Sequence, residues 1–434
     1  MSDLLPMLAV LLLCACAAAI YIRRFGSSER PLMWVSFVAH QVAGVLSIWV
    51  NKYYYGYGDM LAYHEFGVVA AGRLRADFWQ LAPGLLRLLV HSSEPLPIPM
   101  ETLTSSSGAI QAISAFSSYL LFDSLYATCA LIAGLAFLSK VALYSVTCEE
   151  LPHLPRRPLL CVCTLLPSAV FWSCSLLKEP IAMIGLLSII YGWQQLTHAR
   201  NRLQGLVLTA GGALTVFAVK AYILPALVVS LAAWRLARKI HEGRGDVTFK
   251  AGHAIIIAAS AVLLVSVTGA LLPQFAPEAL SDQLAGLQTV GAVVEGGSNF
   301  ALGRGAGSPG SQAALAPLGL ATALFRPMLF DITAPIVIPS ALEMTIFLLA
   351  AILALVRRGV LASLSELIRR PFLSFCAVFV LIFGTLVGLG TTNMGALSRY
   401  RMPLTPFFAT LLIALIARDP VASREATRKE LVRL

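Results

Sequence analysis

The sequence predicts an all-α polytopic membrane protein, and three observations carry that prediction. The 434 residues are 58% hydrophobic and 12% charged, with a mean hydropathy of +0.79, more apolar surface than a soluble core of this length buries. Apolar runs close to the roughly 20 residues that cross a bilayer recur from end to end, about eleven in all. Lysines and arginines gather in short segments between alternate runs, as the positive-inside rule requires of cytoplasmic loops. The formal charge of +10 is therefore explained by orientation, and nucleic acid is not an expected partner.

Each element follows from this pattern. The first span covers residues 4 to 22; the segment before it has Asp3 and no basic n-region, so a cleaved signal is not expected. Arg23, Arg24 and Arg30 draw the next loop inside, which puts the N-terminus outside. A second span, 33 to 50, delivers "YYYGYGDMLAYHEFG" into a first outer loop, residues 51–115. In that loop "GRLRADFWQLAPGLLRLLV" reads as an interfacial helix before a proline-rich run. The third span, 117 to 145, returns to basic "LPHLPRRP", a fourth runs out to "SLLKEP", and the next ends at "HARNR". Residues 204 to 219 and 222 to 236 are short, and are either two spans or a re-entrant pair lining a cavity.

An eighth span, 252 to 272, opens into a second outer loop, residues 273–333, partly flexible by its glycines. A span ending at Arg357 and Arg358, one from 371 to 390, the loop "TTNMGALSRYRMP" and a last span lead to a cytoplasmic tail, residues 418–434. The whole, 1–434, is one transmembrane domain with its C-terminus inside, and seven inside segments come out basic. No heptad or short repeat is apparent. Of the eight cysteines, Cys14, Cys16, Cys129, Cys161, Cys163 and Cys376 lie in or beside apolar runs, and the Cys161/Cys163 pair has no matching histidines for a metal site.

This threading puts the unusual polar residues on one side: Asp59, Tyr63, His64 and Glu65; Lys178 and Glu179; Lys220 and Tyr222; Arg304, Arg326 and Asp331; Arg399 and Arg401. Charges at membrane depth are costly unless they face one another or a wet cavity, so each is a functional candidate. Asp59 is either a helix cap after Gly58 or a carboxylate general base, or a ligand for a cation on a phosphate substrate. The neighbouring tyrosines read as an interfacial belt or a sugar platform. Glu179 before Pro180 reads as a helix start; Lys178 and Lys220 at an outer face run against the orientation rule, and Lys178 is either a snorkelling side chain or part of an anion site. Arg399 and Arg401 are spaced so that both can address one phosphate from a turn; interfacial anchoring is the other reading.

Taken together, the outer acid motif, "LPSAVFWSCSLLKEP", "VKAYILP", "FRPMLFD" and "SRYRMPLTPF" resemble the pattern of GT-C-type integral membrane glycosyltransferases and their bacterial polysaccharide-assembly relatives. The resemblance implies a GT-C-like fold in the bacterial inner membrane with its active site facing the periplasm. It implies a polyprenyl-(pyro)phosphate-linked sugar donor and a lipid or glycan acceptor, with Asp59 as catalytic base. Tyr63, His64, Glu65, Lys178, Glu179, Lys220, Tyr222, Arg326, Arg399 and Arg401 would be substrate-binding. No cofactor is required by the pattern, and a divalent cation is left open. Two departures stand out: the acid follows the second span rather than the first, and no large soluble domain is present. A closely related reading is an O-antigen or exopolysaccharide polymerase or ligase, and a reading of a different class is a lipid-linked glycan transporter.

Overall fold

The computed structural model describes residues 3–92, 94–98, 105–242, 284–286, 288, 308–332 and 334–417. The expected span at 252–272, Arg304 with most of the second outer loop, and the tail 418–434 lie outside the described residues.

Helices dominate what is described. α1 (Leu4–Ile22) and α2 (Arg30–Trp49) are joined by a turn that Arg30 ties down, its guanidinium donating to the carbonyls of Phe25 at 2.8 Å and Arg23 at 2.9 Å. α2 ends in a π-helical turn, Val50–Tyr54. The expected interfacial segment is two helices, α3 (Asp59–Ala76) and α4 (Phe78–Leu88), because Asp77 leaves helical geometry and caps the second by accepting from the Gln80 amide at 3.0 Å.

α5 (Ser105–Leu120) and α6 (Leu125–Glu150) replace the single span expected over 117 to 145. Between them Phe122 and Asp123 take φ of 53° and 62°, a left-handed backbone that no helix continues through. Asp123 is held there by Arg75 of α3, at 2.8 and 3.1 Å.

The fourth expected span is also broken. α7 (Arg156–Thr164) and α8 (Pro167–Phe171) are separated where Leu166 is extended ahead of a proline. An irregular stretch, 172–177, buried from Ser173 onward, then leads to α9 (Lys178–Thr197). α10 (Arg202–Lys220) and α11 (Ile223–Glu242) follow. Part of the expected second outer loop is helical, as α12 (Pro309–Phe325). The chain continues through α13 (Ile338–Arg358), α14 (Val360–Arg369), α15 (Pro371–Leu389), α16 (Met394–Tyr400) and α17 (Thr405–Ile416).

Among the described residues, six helical segments are long and apolar enough to cross a membrane: Leu4–Ile22, Arg30–Tyr54, Leu125–Glu150, Arg202–Lys220, Pro335–Arg358 and Pro371–Leu389. The expected count of about eleven is higher for identifiable reasons. The fourth run is split by Pro167, α17 has 12 residues, α9 and α11 are more polar than the six, and 252–272 is not described.

The contacts group into two units: Met1–Val146 with Cys163–Leu224, and Thr147–Val162 with Pro225–Leu434. Each contains a backbone-to-backbone helix crossing. In the first unit α9 and α10 meet along Gly185 and Gly192 against Gly212 and Gly205; a Cβ on Gly192 would stand 2.8 Å from the Gly205 carbonyl, and one on Gly185 2.9 Å from that of Gly212. Such small-residue seams let helices approach closely where lipid offers no hydrophobic driving force. The glycines stand seven apart on both helices. In the second unit α12 and α15 cross at Gly319 and Gly388, where a Cβ on Gly388 would collide with the Gly319 carbonyl.

Candidate functional site

In the first unit, the residues singled out by sequence gather where three helices begin. Gly58, extended at φ 166°, is the residue before α3, and its carbonyl accepts from the amides of Leu61 and Ala62 at 3.0 and 3.1 Å. Asp59 is thus the first helical residue, and Gly58 takes the cap position. It is exposed, and its charge lies at the positive end of the α3 dipole.

The residues just after Asp59 anchor it. Met60 and Tyr63 are buried in one apolar cluster with Ile110 of α5, Cys129 of α6, and Leu176 and Leu177, which directly precede α9; Leu61 and Ile181 pack against the same cluster. The starts of α3 and α9 therefore rest on a shared core. Lys178, the first residue of α9, bridges to the start of α5, its ammonium donating to Ser107 Oγ at 2.8 Å and Ser106 Oγ at 3.4 Å.

Behind Lys178 lies an ion pair. Lys220 Nζ, at the end of α10, is 2.9 Å from Glu179 Oε1, with the two side chains 8% and 1% exposed. The same ammonium donates to the Tyr222 hydroxyl at 3.0 Å and lies 5.4 Å from the centre of that ring. The segment after α4 joins this end of α10, with His91 stacked on Phe217 at 5.1 Å and its Nε2 2.8 Å from the Ala218 carbonyl. Glu179, Lys220 and Tyr222 are thus brought together, and Lys178 stands next in sequence, half-buried.

His64 and Glu65 take a different direction from Tyr63. Glu65 is exposed and accepts from the Tyr57 hydroxyl at 2.8 Å, a bond that raises the Tyr57 pKa. His64 is half-buried with no hydrogen bond to its Nδ1 among the described residues. Burial lowers its pKa from 6.5, against the pull of Asp123, Asp3 and Glu65.

An apolar groove of about 610 Å³ runs between α1, α2 and α6, lined by Met7, Leu11, Gln41, Val45, Trp49 and Tyr126 among others. Tyr126 also packs on the cluster beneath Asp59. The groove and this apolar cluster therefore share Tyr126.

In the second unit the cations have another use. Arg326 pairs with Asp331 in both carboxylate oxygens, at 2.6 and 3.0 Å, and the bond from Arg326 lowers the Asp331 pKa below 3.8. Arg401 is 1% exposed and donates to the Arg326 carbonyl and to the hydroxyls of Ser340 and Ser398. Burial pushes its pKa down to about 10, opposed by the carboxylate of Glu343. Arg399 is half-buried, its guanidinium 5.4 Å from the Tyr400 ring. The two arginines expected to address one group thus have unlike surroundings: Arg401 is fixed inside the unit, and Arg399 alone retains partial exposure.

Sequence reasoning passed over one cluster. Lys140, in the middle of α6, and His40, in the middle of α2, are both fully buried, with Lys140 Nζ 3.0 Å from His40 Nε2. The signal was present as one lysine within the otherwise apolar "LAFLSKVALY".

No family model, curated protein or solved structure matches this chain. Among the described residues no group of three or more His, Cys, Asp or Glu side chains is placed to hold a metal ion.

Proposed function

We propose that the chain is a membrane glycosyltransferase that moves a sugar from a polyprenyl-phosphate-linked donor to an acceptor at the outer leaflet of a bacterial inner membrane. In this reading the GT-C-like topology has about eleven spans, the N-terminus is outside, and the cluster at Asp59 faces the periplasm. One observation carries it: the α3 start bearing Asp59 and the α9 start bearing Lys178 rest on one apolar core, beside a groove of spanning helices with room for a hydrocarbon chain.

The chemistry is consistent with that layout. The acceptor hydroxyl attacks the anomeric carbon of the donor, its proton passes to the Asp59 carboxylate, and the carbon–oxygen bond to phosphate breaks. Lys178, with the dipole of α9 behind it, stabilises the departing phosphate. Glu179 and Lys220 neutralise each other and fix the end of the α9–α10 hairpin, so the half-exposed charge beside them is positive.

Asp59→Asn tests this directly. The amide keeps the shape but accepts no proton, so the variant should insert and fold normally yet form no glycan product when given polyprenyl-phosphate sugars. Full activity would overturn the assignment. A polymerase or ligase acting on a polyprenyl-pyrophosphate-linked glycan uses the same phosphate contacts, and would be recognised by products several repeat units long. A lipid-linked glycan transporter is favoured by a different observation, the buried Lys140–His40 pair beside a broken helix, since transporters place ionisable groups and helix breaks at mid-membrane. Flipping of a labelled lipid-linked glycan without any change in its covalent structure would establish that reading instead.

A further inference from the structure

The ammonium of Lys140 has three protons to donate, and three acceptors surround it: His40 Nε2 at 3.0 Å, the Ala169 carbonyl at 2.8 Å and Ser173 Oγ at 2.7 Å. His40 Nδ1 lies 2.7 Å from the Ser36 carbonyl, which accepts only if that nitrogen carries the proton. Nε2 is therefore free to accept from Lys140. Ser173 in turn donates to the Val170 carbonyl at 3.1 Å. Ala169 and Val170 belong to the last turn of α8; the Val170 carbonyl also accepts from the Ser173 amide at 3.3 Å and from Cys174 Sγ at 3.0 Å, while Lys140 supplies a donor to the Ala169 carbonyl. A cation at that point also meets the negative end of the helix dipole.

We propose that Lys140 is a positioning residue that fixes the break between α8 and α9, and so sets where Lys178 and Glu179 stand at the start of α9. The linkage is short: Ser173 and Lys178 are five residues apart, and every residue from Ser173 to Leu177 is buried. Loss of the ammonium leaves the Ala169 carbonyl and His40 Nε2 without a donor that lies on another helix. The α8 end and the irregular stretch then loosen together, while packing elsewhere in α6 persists. The consequence for the active cluster rests on the glycosyltransferase reading; the consequence for the break does not.

The protein contains its own reporter. Cys174 lies within the break and is fully buried, and Cys14, packed on α6 in the first unit, and Cys376 in the second are buried controls away from the break. The experiment alkylates the detergent-solubilised full chain with a membrane-permeant maleimide and maps each cysteine by mass spectrometry. In Lys140→Met, Cys174 should label about tenfold faster or more, the scale set by a buried acceptor losing its donor, with Cys14 and Cys376 unchanged. Ser173→Ala, which removes one acceptor only, should fall between wild type and Lys140→Met. Protection of Cys174 in the folded Lys140→Met variant, or a parallel rise at all three cysteines, would overturn the proposal. A second arm measures transfer from a polyprenyl-phosphate sugar, where a misplaced Lys178 should raise the donor KM about tenfold with kcat nearly kept. Equal loss in kcat alone would count against positioning. If the wild-type chain transfers no sugar at all, the functional reading fails while the labelling result still decides the role of Lys140.

Discussion

In the first unit the ionic groups stand where helices start or break, whereas in the second they tie turns to neighbouring helices. Asp59, Lys178 and Glu179 occupy the first turns of α3 and α9. Arg326, Asp331 and Arg401 instead form a closed set with Ser340 and Ser398, and Arg401 is wholly buried. The difference teaches that cations of equal prominence in the sequence are not equal candidates for a ligand. A guanidinium whose donors already meet a carbonyl and two hydroxyls holds structure; the half-buried Lys178, at a helix start and bonded to two serine hydroxyls, is the cation to which the proposed function assigns the phosphate.

The glycine crossings test the mechanical equivalence of the units and carry the largest expected effects. Gly388→Ala forces a methyl into the Gly319 carbonyl, and should destabilise the second unit by about 3 kcal/mol or more, read from chemical denaturation in detergent. Gly192→Ala meets Thr209 Oγ1 as well as the Gly205 carbonyl, at 2.6 and 2.8 Å, and should act as strongly on the first. A neutral result at either site would break the comparison of close backbone seams.

Next in size, Arg401→Met removes a buried charge from beside Glu343, and should cost about 3 kcal/mol. Donor affinity should be unaffected in the fraction that remains folded. Lys220→Met leaves the Glu179 carboxylate, 1% exposed, without that cation at a similar cost. The double variant Glu179→Gln with Lys220→Met should recover much of the loss, since a buried pair contributes less than breaking it costs. Loss of donor binding in Arg401→Met at wild-type stability would move the phosphate site toward the second unit.

The smallest effect is one of pH. His64 has a folded pKa below its ordinary 6.5, so the unfolded chain binds the proton more readily than the native one. The contribution of neutral His64 is present above pH 6.5 and is lost as pH falls through the lower folded value. His64→Gln should flatten this acid-side slope in a plot of unfolding midpoint against pH.

Much of the architecture was legible in the sequence where one signal dominated. Apolar length placed α1 and α15 almost to the residue, and Gly58-Asp59 marked the start of α3. What was missed depends on competition between signals. The run over 117 to 145 is apolar enough for one span, yet Asp123 turns the chain because Arg75, 48 residues away, offers it a partner. Likewise "SRYRMP" shows two arginines at a suitable spacing, but only tertiary packing decides that Arg401 points inward to Ser340. Pairing of Glu179 with Lys220 required α9 and α10 to fold back on each other, and the glycines that permit this were visible but not read as a seam.

That seam makes the α9–α10 hairpin a lever. With backbone against backbone at four glycines and an ion pair at one end, neither helix can slide without a collision. The 20 residues of α9 span about 30 Å. A displacement of Lys178 along the helix axis would therefore carry Thr197 to Arg202, at the far end of the hairpin, with it as one piece.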